Sequence, residues 1–175
     1  MAQDDGYLFT HAMTRDGAYQ LMPPSDRSRL HLIAADCSET PGGADDASGA
    51  VAGHLRAAID AAGGYAGVPH ALARREADAC RAAARRCMRE FQSRAAVVLL
   101  LRIAANPAAL VIEQSEALVD AAEATERSGT LAEGEALALR AIALLKPEGT
   151  SDPEALRVAG CAFRIAGETA NRMGH

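Results

Sequence analysis

Forty-one of the 175 residues are alanine. No other feature restricts the fold of this chain as much. Alanine has the highest intrinsic helix propensity, and its small side chain lets helices approach closely. A chain built this way is expected to be almost entirely helical, with thin layers between its helices. Aromatic residues make up only 3% of it and tryptophan is absent. An enzyme cleft usually carries more aromatic and polar punctuation, so composition leans towards a scaffold.

Breakers divide the chain into segments. Residues 11–22 read as a first helix, with Thr10 as its cap and Pro23-Pro24 as its stop. Ser25 or Asp26 is expected to cap a second helix running to Cys37, with Leu30, Ile33, Ala34 and Cys37 at helical spacing. Residues 38–48 are turn chemistry throughout. A third helix follows over 50–62, then the break Gly63-Gly64-Tyr65-Ala66-Gly67-Val68-Pro69. These glycines follow a helix, and no Lys-Ser/Thr pair closes a phosphate loop around them. The longest pattern spans His70–Phe91, with Ala73, Ala77, Cys80, Ala84, Cys87, Met88 and Phe91 as its apolar seam. Ser93 is expected to cap the next helix, which is apolar almost all round and stops at Asn106-Pro107. Such a helix is buried between neighbours.

The last third reads as a repeat. A helix over 108–128 ends at Ser128-Gly129. Thr130-Leu131-Ala132-Glu133 has the form of a capping box, and its helix runs to Leu145. Asp152 caps another helix with Pro153 at its first position. Aligning Ala117-Leu118 with Ala155-Leu156 sets an offset of about 38 residues, which puts Gly129 on Gly167. Stacked helical hairpins follow from that period. The same offset predicts a new helix near Thr169, cut short at His175. We therefore expect an incomplete last repeat, and a fragment or stand-alone descendant of something longer.

A second line comes from the start of the chain. The run Tyr7-Leu8-Phe9-Thr10-His11-Ala12-Met13-Thr14-Arg15-Asp16-Gly17-Ala18-Tyr19, followed by Arg27-Ser28-Arg29-Leu30-His31, resembles a segment of bacterial STAND-type signalling ATPases. There, that segment closes a winged-helix region and opens an array of tetratricopeptide-like hairpins. The resemblance implies an all-α, tetratricopeptide-like stack of antiparallel hairpins. It also implies a regulatory, protein-binding role in an ATP-dependent signalling or transcription-control system, with the ATPase part absent. On this reading residues 1–37 join the end of the winged helix to the start of the array. Residues 38–49 are a loop and 50–175 are the repeats. Residues 7–10 become an extended arm or a short helical entry. His11 matches a histidine that in such proteins reports the bound nucleotide; here it is expected to orient the first helix.

Other chemistry is sparse. The cysteines Cys37, Cys80, Cys87 and Cys161 form no C-x-x-C pair and have no zinc-like spacing with histidine. Cys80 and Cys87 lie about 10 Å apart along a straight helix, too far for a disulfide, and are read as small core residues. His31 and His54 lack spaced partners for a metal. No P-loop sequence is present, and no Ser or Cys is paired with His in a nucleophile signature. We expect no enzyme, no cofactor and no metal. No apolar run reaches membrane-spanning length, so a cytoplasmic protein without membrane contact is expected.

Two surfaces stand out. Residues 74–94 hold seven arginines against Glu76, Asp78 and Glu90, a local net of +4 in a chain of net charge −5. Arg74, Arg81, Arg85 and Arg89 are the candidate partner-binding residues, most naturally for an acidic protein or peptide. A nucleic-acid adaptor is the alternative; the lack of interleaved aromatics and the acidic remainder count against it. An enzyme with a site in a helical cleft is the third reading. Phe163 and Ile165 are the candidate self-association residues, for a homodimer through the C-terminal hairpin.

Overall fold

A computed structural model describes residues 12–39, 44–147 and 150–174. Within them the chain is all-α, with eight helices and no strand. They are α1 (Ala12–Leu21), α2 (Pro24–Ser38), α3 (Ala44–Ala61), α4 (His70–Arg89), α5 (Ser93–Ala104), α6 (Val111–Arg127), α7 (Leu131–Leu145) and α8 (Pro153–Met173). From α2 onward each helix packs against the next, and α8 also packs against α6. Short connections between packed neighbours make the consecutive pairs antiparallel. α2 packs on α3 as the later helices pack on their successors, and α3 begins at Ala44, inside the stretch 38–49 expected to be a loop.

The repeat is real, but its interval is longer than the sequence suggested. Buried positions recur every 41 residues. Ala35, Glu76, Ala117 and Val158 share one register on α2, α4, α6 and α8. Ala77, Leu118 and Ala159 share another, and Cys80, Ala121 and Ala162 a third. On the alternate helices Leu55, Ala96 and Leu137 match in the same way. The predicted 38-residue offset fails because it aligned glycines rather than core positions. Gly129 adopts φ +87° after α6, whereas Gly167 lies inside α8 in open space. No new helix begins near Thr169, since α8 runs unbroken to Met173.

Alternate helices are bridged by a ladder of ion pairs. Arg75 of α4 reaches Asp36 at 2.6 Å and Glu39 at 2.9 Å, at the end of α2. Arg74 and Arg81 of α4 both meet Glu113 of α6, at 2.8 and 3.1 Å. Arg157 and Arg164 of α8 meet Glu116 and Glu123 of α6, at 2.6 and 3.0 Å. Each exposed rung contributes little alone; together they fix which helix faces which.

Helix ends are where local expectation fared worst. Asp152 does cap α8, accepting the Glu154 N–H at 3.0 Å beside Pro153. Thr130 does not cap α7: its hydroxyl donates back to the Thr125 carbonyl. Ser93 and Ser25 lie inside their helices, which start without a side-chain cap. Glu113 supplies an unforeseen one, accepting the Leu110 N–H at 2.9 Å. Phe91 is not part of the α4 seam. It follows the helix at φ 58° and is 91% exposed. The Gln92 N–H then closes on the Cys87 carbonyl at 2.8 Å, the form of a glycine C-cap. Between α3 and α4 a 3-10 turn, Tyr65–Gly67, places a Cβ on Gly67 2.0 Å from the Ala62 carbonyl oxygen. Only glycine fits there. Thr10 and His11 lie outside the described residues.

Candidate partner-binding cleft

The helices α4, α6 and α8 border a cleft of about 700 Å³. Its floor is apolar: Ala84 and Met88 from α4, Leu100 and Ile103 from α5, Ala117 from α6 and Val158 from α8. Its walls are charged. Arg81, Arg85 and Arg89, one turn apart, come from α4. Glu113, Glu116, Asp120 and Glu123 come from one face of α6, and Arg157 comes from α8.

Most of these charges answer one another. Glu113 takes both Arg74 and Arg81, and its carboxyl is held down to about 2, first by the Arg74 hydrogen bond. Glu116 takes Arg157, and Glu123 takes Arg164. Two groups are left over. Among the described residues Arg85 and Asp120 make no hydrogen bond or ion pair, and both are exposed. Asp120 is pushed above the ordinary carboxylate range. Partial loss of its water between the cleft walls is the main cause, followed by the nearby Glu123 and Glu116. Water still reaches this side chain, so the shift is a screened one. Arg85 and Arg127 act on Asp120 in the opposite sense, so the cleft presents a cation and an anion that feel each other's charge without a direct ion pair, above an apolar floor.

The four candidate arginines divide accordingly. Arg74 and Arg81 are not available to a partner as expected, because α6 of the same chain already supplies their carboxylate, Glu113. Arg85 stands exposed on the cleft wall without a direct ion pair; Arg89 is exposed there too but is already engaged within the chain. Of the self-association pair, Ile165 is fully buried in the core and cannot form a surface, while Phe163 is 54% exposed.

Two polar clusters were not legible beforehand. Glu76 is wholly buried, at a position where the other units carry Ala35, Ala117 and Val158. Its Oε1 accepts from Arg102 Nε and Nη2, at 2.9 and 2.6 Å. Its Oε2 accepts from the Tyr65 hydroxyl at 3.0 Å and from Asn106 Nδ2 at 2.8 Å. Arg102 also donates to the Ala52 carbonyl, and Asn106 to the Ala73 carbonyl. The carboxylate is saturated by protein donors. Burial and Glu76 push both the Tyr65 hydroxyl and the Cys80 thiol up to about 12, so neither is activated. In sequence Glu76 was simply one charge on an arginine-rich helix.

The second cluster joins the first three helices. Tyr19 of α1 meets His31 Nε2 at 2.9 Å, and His31 Nδ1 meets His54 Nδ1 of α3 at 3.1 Å. One of the two facing Nδ1 atoms must carry no proton. Burial, then His54, lowers the His31 pKa. Among the described residues no group of three or more His, Cys, Asp or Glu could hold a metal ion, and no helix is long and apolar enough to cross a membrane.

The geometry defines an all-helical protein of 41-residue register with a charged-walled, apolar-floored cleft. Compared with known proteins, the chain matches no family model, no curated protein and no solved structure.

Proposed function

We propose that this chain is a non-catalytic, tetratricopeptide-like interaction module that holds a segment of a protein partner in the cleft between α4, α6 and α8. The carrying observation is that Arg85 and Asp120 lie near each other above an apolar floor without a direct hydrogen bond or ion pair, while the surrounding charges are paired. The complementary segment has an apolar side chain for the floor and a basic residue for Asp120, with an acidic residue beside it for Arg85. Grooves of stacked hairpins bind peptides in this way, without chemistry. The saturated Glu76 and the unactivated Cys80 are further reasons to prefer binding over catalysis. The nucleic-acid reading is weakened because Arg74, Arg75, Arg81 and Arg86 are engaged by carboxylates. A regulatory setting in an ATP-dependent signalling system rests on the resemblance of residues 7–31 alone.

Selection from a randomised peptide library tests this. Enrichment of segments pairing an apolar with a basic residue is expected, with binding lost in Asp120→Lys while the melting temperature holds. No enrichment, or enrichment that Asp120→Lys leaves unchanged, overturns the reading.

A further inference from the structure

The 41-residue register also says what is uncovered. On α6 the positions Ser115, Val119, Ala122 and Glu126 form one stripe, and the first three are buried. Helix α7 meets this stripe at Ala122 and Glu126. A Cβ built on its Gly134 would stand 3.3 Å from the Ala122 carbonyl oxygen and 3.3 Å from Glu126 Cγ. The same register on α8 gives Leu156, Gly160, Phe163 and Gly167. All four are exposed, with Leu156 at 46% and Phe163 at 54%. Nothing lies within 4 Å of a Cβ placed on Gly160 or Gly167. The close neighbours of α8 are α6 and α7. Among the described residues, then, the face that α7 covers on α6 stands open on α8.

The stripe fits itself. Its order along the helix is large, small, large, small, and it carries no charge. Placing a twofold axis between Gly160 and Phe163, perpendicular to α8, sets two copies of the helix antiparallel. Leu156 then lies opposite the second copy's Gly167, and Phe163 opposite its Gly160. Each large side chain meets a glycine, in both directions, as an isologous interface requires. The glycines allow the close backbone approach that Gly134 allows between α7 and α6. Arg157 and Arg164, turned towards α6 by their ion pairs, stay clear of the seam.

We propose that α8 is a homodimerisation helix, in which a second copy of this chain occupies the place α7 takes on α6. Neither the cleft nor its ligand enters this inference, so the two readings stand or fall separately.

Sedimentation equilibrium of the full chain over a broad concentration range tests it. A concentration-dependent dimer is expected. Phe163→Glu weakens it by about 10-fold or more, as loss of an aromatic anchor does. The register has its own test. Phe163→Gly alone weakens the dimer. Adding Gly160→Phe restores it, because the axis places residue 160 opposite residue 163. A chain that remains monomeric throughout overturns the proposal and leaves the face to a helix of another protein. A dimer unaffected by Phe163→Glu overturns it too, as does a dimer that the double exchange fails to restore. Circular dichroism on each variant separates lost association from lost folding.

Discussion

Glu76 of α4 and Arg102 of α5 meet at 2.6 Å, the carboxylate fully buried and the arginine side chain still 19% exposed. The pair draws three helices and two connections onto one point, through the Ala52 carbonyl, Tyr65 and Asn106. Removing Arg102 strands the Glu76 carboxylate away from water, which typically costs about 3–5 kcal/mol, whereas removing Glu76 leaves a guanidinium that water still reaches. Arg102→Ala is expected to destabilise the chain on that scale in urea unfolding, and Glu76→Ala by less. The double variant should lose clearly less than the two single losses added together, since no charge is left stranded. Additive losses would mean that the pair is not coupled.

Acid stability should depend on Glu113. Its folded carboxyl sits at about 2, against 4.5 for the ordinary group. A depressed carboxyl adds stability that is fully present above the unfolded value and is lost as pH falls from about 4.5 towards 2. Arg74 is partly in water, so screening reduces the contribution to about 1–2 kcal/mol. Glu113→Gln should therefore lower the melting temperature at pH 7 and flatten its fall between pH 4.5 and 2. Parallel melting curves for both proteins across that range would refute the assignment.

The His31–His54 contact predicts a second, milder pH dependence. A histidine whose pKa is lowered by folding binds its proton better in the unfolded chain. Stability should fall as pH drops through 6.5, the ordinary value. The groups meeting His31 are Tyr19 from α1 and His54 from α3, with Arg27 of α2 over the Tyr19 ring. His31→Gln should remove most of the difference in melting temperature between neutral and mildly acid buffer. NMR titration should place the His31 midpoint below 6.5; a midpoint above it would contradict the structure.

Phe91 occupies left-handed backbone, which bulky L-residues avoid, and it is almost wholly in water. Phe91→Gly is expected to stabilise the chain by about 1 kcal/mol, and so to raise the melting temperature by about 2–4 °C. A fall on substitution would show that the ring makes a contact offsetting its backbone strain.

The sequence alone determined the helices. Ala-rich segments between Pro23-Pro24, Gly63-Gly64, Asn106-Pro107, Gly129 and Pro147 could form little else, because propensity and chain breaks act locally. It placed most boundaries within a few residues and foresaw the Asp152 cap. It foresaw a repeat, too, but at 38 residues rather than 41. Alanine at most of the buried apolar positions leaves few landmarks for register, and glycine spacing proved a poor substitute.

Tertiary structure decided the rest. The pattern of residues 74–94 showed seven arginines. Only folding revealed that Arg74 and Arg81 meet Glu113, while Arg85 acts on Asp120 without a direct ion pair. The same holds for Glu76, which reads as a surface charge until Arg102 and Asn106 enclose it. Phe163 and Ile165 are two residues apart in an apolar pattern, yet one faces water and the other the core. Helical periodicity states which residues share a face. It does not state what lies against that face, because the partner comes from a distant part of the chain, and its charge and shape decide whether a side chain is spent inside the fold or left for a ligand.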